Sequence, residues 1–135
     1  MKNGPIIVYV EDDAPSIVVM KAIMNHVLGI VDNLIVIENT SDFLEKVREI
    51  GSIPDIFLLD IHIQPYDGFE LLKMIRADNR LRYCKVVALT ASVMNEEVEK
   101  LRESGFDGAI SKPLDRYAFP KLIEKILDDQ SVWHI

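Results

Sequence analysis

Four polar positions along the chain each follow directly on a short apolar run. Glu11-Asp12-Asp13 follows residues 6–10, Asp60 follows 56–59, Thr90 follows 86–89, and Lys112-Pro113 follows 109–111. A carboxylate can act as a nucleophile or a metal ligand, a lysine supplies a compact positive charge, and a threonine supplies a hydroxyl donor. If the apolar runs are neighbouring parallel strands, Glu11, Asp12 and Asp60 crowd together. Two such charges 5 Å apart repel by about 3 kcal/mol at an effective dielectric near 20. Such a cluster protonates or holds a cation. An all-oxygen site with few protein ligands and room for water and phosphate suits Mg²⁺. With Lys112 and Thr90 beside it, the set could hold a phosphoryl group on Asp60.

The elements that must position these groups are legible in the hydrophobic pattern. Residues 6–10 form an apolar, β-branched strand with Pro5 just ahead of it, where a missing N–H matters least. A helix follows with Asp13 as N-cap and Pro15 in its first turn, and its inner face carries Ile17, Met20, Met24, Val27 and Leu28 up to Gly29. Residues 34–37 make a second strand. Thr40 or Ser41 is expected to cap a second helix striped by Phe43, Leu44, Val47 and Ile50. The uninterrupted run 56–59 suits a strand buried on both faces, and helix three (Leu71, Leu72, Ile75) begins after Asp67-Gly68. Residues 86–89 are strand four, and helix four spans 95–104 with only Met94, Val98 and Leu101 as an apolar stripe. Residues 109–111 are strand five. Helix five packs Leu122, Ile123, Ile126 and Leu127, with Pro120 marking its start or a kink. Residues 130–135, with Trp133, read as a tail.

Strands alternating with helices through short loops predict an α/β fold, a doubly wound five-stranded parallel sheet of the flavodoxin-like type in the order 2-1-3-4-5. The 135 residues fit one domain. A net charge of −7 argues against a surface that tracks nucleic-acid phosphates. The apolar runs are too short to span a bilayer, the amino terminus lacks a signal-peptide pattern, and Cys84 has no partner for a disulfide, so a cytoplasmic setting is expected.

The spacing Glu11-Asp12, Asp60, Thr90-Ala91, Lys112-Pro113 on this alternation resembles the receiver domain of two-component response regulators, over about residues 5–128. The resemblance implies that Asp60 accepts a phosphoryl group from a histidine of a sensor kinase or phosphotransfer protein. It implies that Asp12 and Asp60 ligate Mg²⁺, with Glu11 holding a metal-bound water and the backbone carbonyl of His62 adding a ligand. Thr90 would move toward the new phosphoryl group, and Lys112, after which a cis bond to Pro113 is common in the family, would pair with it. Beyond its own phosphotransfer and dephosphorylation such a domain is not an enzyme. The chain is expected to be a stand-alone receiver that signals to a downstream protein through helix four, strand five and helix five.

The chain departs from the family pattern in two places. The proline usual four residues after the acceptor is displaced by one, leaving Gln64 there and Pro65 next, so a slightly altered loop path is expected. The aromatic position three residues before the lysine is Ala109, which has no ring to follow Thr90. His62 and Ser92 stand where such domains tune self-dephosphorylation. Three other readings use parts of the same pattern. A haloacid-dehalogenase-like phosphatase would need a second acid at position 62, where the chain has His62. A flavodoxin-like FMN carrier would need a Ser/Thr- and Gly-rich loop after the first strand. A degenerate receiver used only for docking would have lost acidic residues that are all present here.

Overall fold

The computed structural model describes residues 4–30, 32–92 and 94–135. The first four strands along the chain are parallel neighbours in one sheet: β1 (Ile7–Val10), β2 (Leu34–Ile37), β3 (Ile56–Asp60) and β4 (Lys85–Thr90). Every residue of β1 and β3 is buried. Both faces of these strands are covered, which explains their unbroken apolar sequences. β5 (Gly108–Ser111) pairs with β4, and a sixth strand, β6 (Val132–His134), pairs parallel with β5. The order is β2-β1-β3-β4-β5-β6, so the expected 2-1-3-4-5 arrangement is present and extended by one strand.

Side-chain alternation sorts the core into two layers. Val8, Val10, Phe57, Leu59, Val86 and Ala88 face one layer, closed by α2 (Phe43–Glu49), α3 (Gly68–Ala77) and α4 (Asn95–Ser104). Ile7, Tyr9, Ile56, Leu58, Val87 and Leu89 face the other, closed by α1 (Ala14–His26) and α5 (Ala118–Leu127).

Side chains specify several helix starts, α1 and α3 among them. Asp13 caps α1 by accepting from the Ser16 N–H at 3.0 Å, with Pro15 in the first turn as expected. Asp67 and Glu70 form a reciprocal capping box on α3. Gly68 is required there for a close approach: a Cβ would lie 2.8 Å from Ile61 Cδ1 and 3.0 Å from Ile61 Cα. Pro120 falls in the first turn of α5 and is buried, so it starts the helix and takes no intrahelical bond away.

Several expectations are corrected. Thr40 and Ser41 do not cap α2, whose N-cap is Asp42, without a side-chain bond; Thr40 is wholly buried and serves a loop described below. Val27 is 54% and Leu127 42% exposed, while Ile23 and Phe119 fill the inner faces of α1 and α5. Leu28, beyond Val27, does pack against the same core as expected.

Residues 130–135 are not a free tail. After α5, Asp129 adopts φ +66°, the Gln130 N–H bonds to Lys125 O at 3.0 Å and the Asp129 N–H to Ile126 O at 3.1 Å. This Schellman turn reverses the chain toward the sheet edge, with aspartate where glycine is usual. Lys85 Nζ holds Asp129 Oδ1 at 2.7 Å. Val132 is then buried and Trp133 half-buried.

Candidate functional site

Parallel strands all end on one edge of the sheet, and the four polar positions arrive there together. Glu11 continues the β1 ladder by donating its N–H to Ile37 O at 3.1 Å. Its carboxylate is 1% exposed and fully engaged. Tyr9 Oη donates to Oε1 at 3.3 Å, Lys112 Nζ lies 2.9 Å from the same oxygen, and the Asp13 N–H donates to Oε2 at 3.4 Å. Asp60, 7% exposed, ends β3; its Oδ1 accepts from the His62 N–H at 3.3 Å and lies 3.6 Å from Lys112 Nζ. Asp12 is exposed, and its carboxylate has no hydrogen-bond or ion-pair partner among the described residues. One oxygen each from Glu11, Asp12 and Asp60 lies within 4.8 Å of the others.

Three carboxylates face one ammonium, and the electrostatics record the imbalance. Burial pushes the Glu11 carboxyl above its ordinary value, and contact with Asp60 adds to this while Lys112 opposes it. Burial also raises the Tyr9 phenol, reinforced by the Glu11 charge, so Tyr9 stays a donor. Burial works against the Lys112 ammonium, but its hydrogen bond to Glu11 and the Asp60 charge outweigh that and hold it firmly protonated.

Thr90, 2% exposed, ends β4. Its hydroxyl donates to Ser92 O at 3.3 Å and accepts from the Ser92 N–H at 3.1 Å, folding the loop toward α4. The Lys112 N–H donates to Thr90 O at 2.8 Å, and the Lys112–Pro113 bond is cis, as the resemblance implied. A cleft of about 270 Å³ opens beside Thr90, lined by Ile61, His62, Phe69, Glu97, Lys100 and Leu101. The His62 side chain is exposed at its rim.

Two contributors were missed in the sequence. Tyr9 lies two residues before Glu11 on the same strand face, a spacing that could have paired them. Thr40 gave no such signal. Its hydroxyl accepts from the Tyr66 N–H at 2.8 Å and donates to Tyr66 O at 3.0 Å, clamping the loop after Asp60 to the end of β2. In that loop the Gln64–Pro65 bond is cis.

The donor set fits a hard divalent cation. Asp12 is unengaged, Asp60 has only one oxygen occupied, and all three side chains offer oxygen alone.

The family model of the response regulator receiver domain matches residues 7–125. The polar-differentiation response regulator DivK of Brucella anthropi is 36% identical over 91 residues, which is 67% of this chain and 72% of that protein. DivK of Brucella ovis is 36% identical over 76 residues, 56% of this chain and 62% of that one. Among solved structures, the receiver domain of sensor histidine kinase PA1611 from Pseudomonas aeruginosa, with a magnesium ion coordinated in its active-site cleft, superposes with a TM-score of 0.78 at 23% identity, covering 93% of this chain and 99% of that one. A putative response regulator from Chloroflexus aurantiacus superposes with a TM-score of 0.82 at 17% identity, with the same coverages.

Proposed function

The chain belongs to the response regulator receiver domain family, and on that footing we propose that it accepts a phosphoryl group from a phosphohistidine onto Asp60, with Mg²⁺, and signals through changed protein contacts. The observation that carries this reading is the convergence of Glu11, Asp12 and Asp60 within 4.8 Å, with Lys112 Nζ 2.9 Å from Glu11 and 3.6 Å from Asp60. An Asp60 oxygen attacks phosphorus, the bond from phosphorus to the donor imidazole nitrogen breaks, and the freed imidazole takes its proton from solvent.

Asp12 and Asp60 would hold Mg²⁺ with the His62 backbone carbonyl, and Glu11, its oxygens already committed to Lys112, Tyr9 and Asp13, would orient a bound water. The ion would supply charge neutralisation on the phosphoryl oxygens. Lys112 pairs with the phosphoryl group, and its protonation is secured by Glu11 and Asp60. Thr90 becomes a second donor once its hydroxyl leaves Ser92 O. The partners are a sensor histidine kinase or phosphotransfer protein upstream and a protein target downstream. The downstream face proposed is that of α4, β5 and α5, now bordered by β6. No described helix is long and apolar enough to cross a membrane; the setting proposed is cytoplasmic.

The test is incubation with Mg²⁺ and acetyl phosphate. Intact mass should rise by one hydroxylamine-labile phosphoryl group in wild type and by none in Asp60→Asn. Equal incorporation in Asp60→Asn would remove the acceptor assignment. A phosphatase reading is less well supported, because position 62 carries an exposed imidazole where a second acid would be needed.

A further inference from the structure

The sixth strand places an aromatic ring on the helix nearest the site. In the β5–β6 register, Trp133 pairs with Ala109, so the two side chains project from the same face of the sheet. That face is the layer of Leu101 and Phe106, against which Trp133 packs. The Arg102 guanidinium of α4 lies 4.3 Å from the Trp133 ring centroid. A ring delivered by β6 therefore covers the wall that the small Ala109 side chain leaves bare.

α4 is the helix for which this matters. It buries one side chain, Leu101, whereas each of the other four helices buries at least two. Its N-cap, Met94, makes no side-chain bond. Two cation–aromatic contacts flank it: Lys100 sits 4.3 Å from the Phe69 ring of α3, and Arg102 sits over Trp133. With so little apolar anchorage, those contacts are a large share of what fixes its position. The chain enters α4 through the loop that the Thr90 hydroxyl ties down at Ser92. Drawing Thr90 to an acceptor on Asp60 breaks the bond to Ser92 O and frees that loop.

We propose that β6 is a latch on α4, coupled to the Asp60 site: phosphorylation loosens the Arg102–Trp133 contact, and releasing β6 favours the phosphorylated arrangement. The coupling rests on the phosphoacceptor reading above, and it is reciprocal by thermodynamic necessity. Trp133 and Arg102 touch no reacting atom and act by positioning α4.

Trp133 is the single tryptophan, so its emission reports on the latch directly in the intact chain. On incubation with Mg²⁺ and acetyl phosphate, emission should shift to longer wavelength and acrylamide quenching should rise in step with phosphoryl incorporation by mass. Asp60→Asn should show neither. Reciprocally, Arg102→Ala and Trp133→Ala should each lower the midpoint of a beryllofluoride titration, followed by fluorine NMR in excess Mg²⁺, by roughly 2- to 5-fold. Trp133→Phe, which keeps a ring, should stay nearer wild type. Arg102→Ala leaves the strand itself intact and guards against a folding defect. Full phosphorylation with unchanged Trp133 emission, or unmoved midpoints in both alanine variants, would overturn the latch while leaving the acceptor reading in place. No phosphoryl incorporation at all would remove both, and the mass measurement tells these cases apart.

Discussion

Gly108→Ala isolates what β6 contributes. A Cβ at position 108 would overlap the Val132 carbonyl oxygen and lie 3.1 Å from both Val132 C and N. Those are backbone atoms of the paired strand, so no side-chain rotation relieves the overlap. The least costly relief is for β6 to leave the edge. The price is then limited to the net worth of that strand. Burial of Val132 contributes about 2 kcal/mol, and the half-buried Trp133 with its Arg102 contact about 2 more. Pairing of β6 with β5 adds roughly 2 kcal/mol. Against this, ordering three residues costs about 1.5 kcal/mol each. The difference is a loss of at most about 2 kcal/mol on substitution. Urea unfolding followed by circular dichroism should show that modest loss, with red-shifted, quencher-accessible Trp133 emission before any denaturant is added. Native emission, or a loss above about 4 kcal/mol, would mean that the core moved and the strand stayed, and the reasoning would fail.

Two further outcomes follow from the acidic cluster. Millimolar Mg²⁺ should raise the melting temperature of wild type by binding only the folded state, and Asp12→Ala should abolish the rise. Thermal scanning with and without the ion decides this, and an undiminished rise in Asp12→Ala would displace that residue from the site. Glu11 gives a pH dependence. Its carboxyl titrates higher in the folded protein than its ordinary 4.5, so its contribution is fully present below that value and is lost as pH rises through the raised one. Without Mg²⁺, wild type should therefore lose stability relative to Glu11→Gln as pH climbs from about 4.5 toward neutrality. Urea midpoints across that window measure it, and a difference that grows the other way would contradict the raised carboxyl.

The parts of the fold that are buried on two faces were the most readable in the sequence. The runs 56–59 and 86–89 have no solvent face to interrupt them, so their ends, Asp60 and Thr90, were placed correctly. Glu11, Asp12 and Lys112 followed, because parallel strands all deliver their ends to one edge. β6 was not readable for the opposite reasons. It is three residues long, lies at the edge, and is announced by a turn whose left-handed residue is Asp129 and not a glycine. Its acceptance depends on Gly108, distant in sequence, having no side chain. Thr40 was hidden in the same way: a threonine before a helix suggests a cap, and only the path of the loop at Tyr66 gives its hydroxyl another use. At the end of α5, Leu127 continues the apolar periodicity past the last buried position, Ile126, while at the end of α1 the helix stops at His26 and the chain beyond it brings Leu28, and not Val27, against the core.

The central claim is that Asp60 is the nucleophile of a phosphoryl-accepting site. Peptide mapping of the chain after reaction with Mg²⁺ and acetyl phosphate, with borohydride trapping of the acyl phosphate, tests it most directly. The account predicts a single trapped residue, Asp60, with incorporation lost on chelating the metal. A trapped residue elsewhere, or full incorporation in Asp60→Asn, would contradict it.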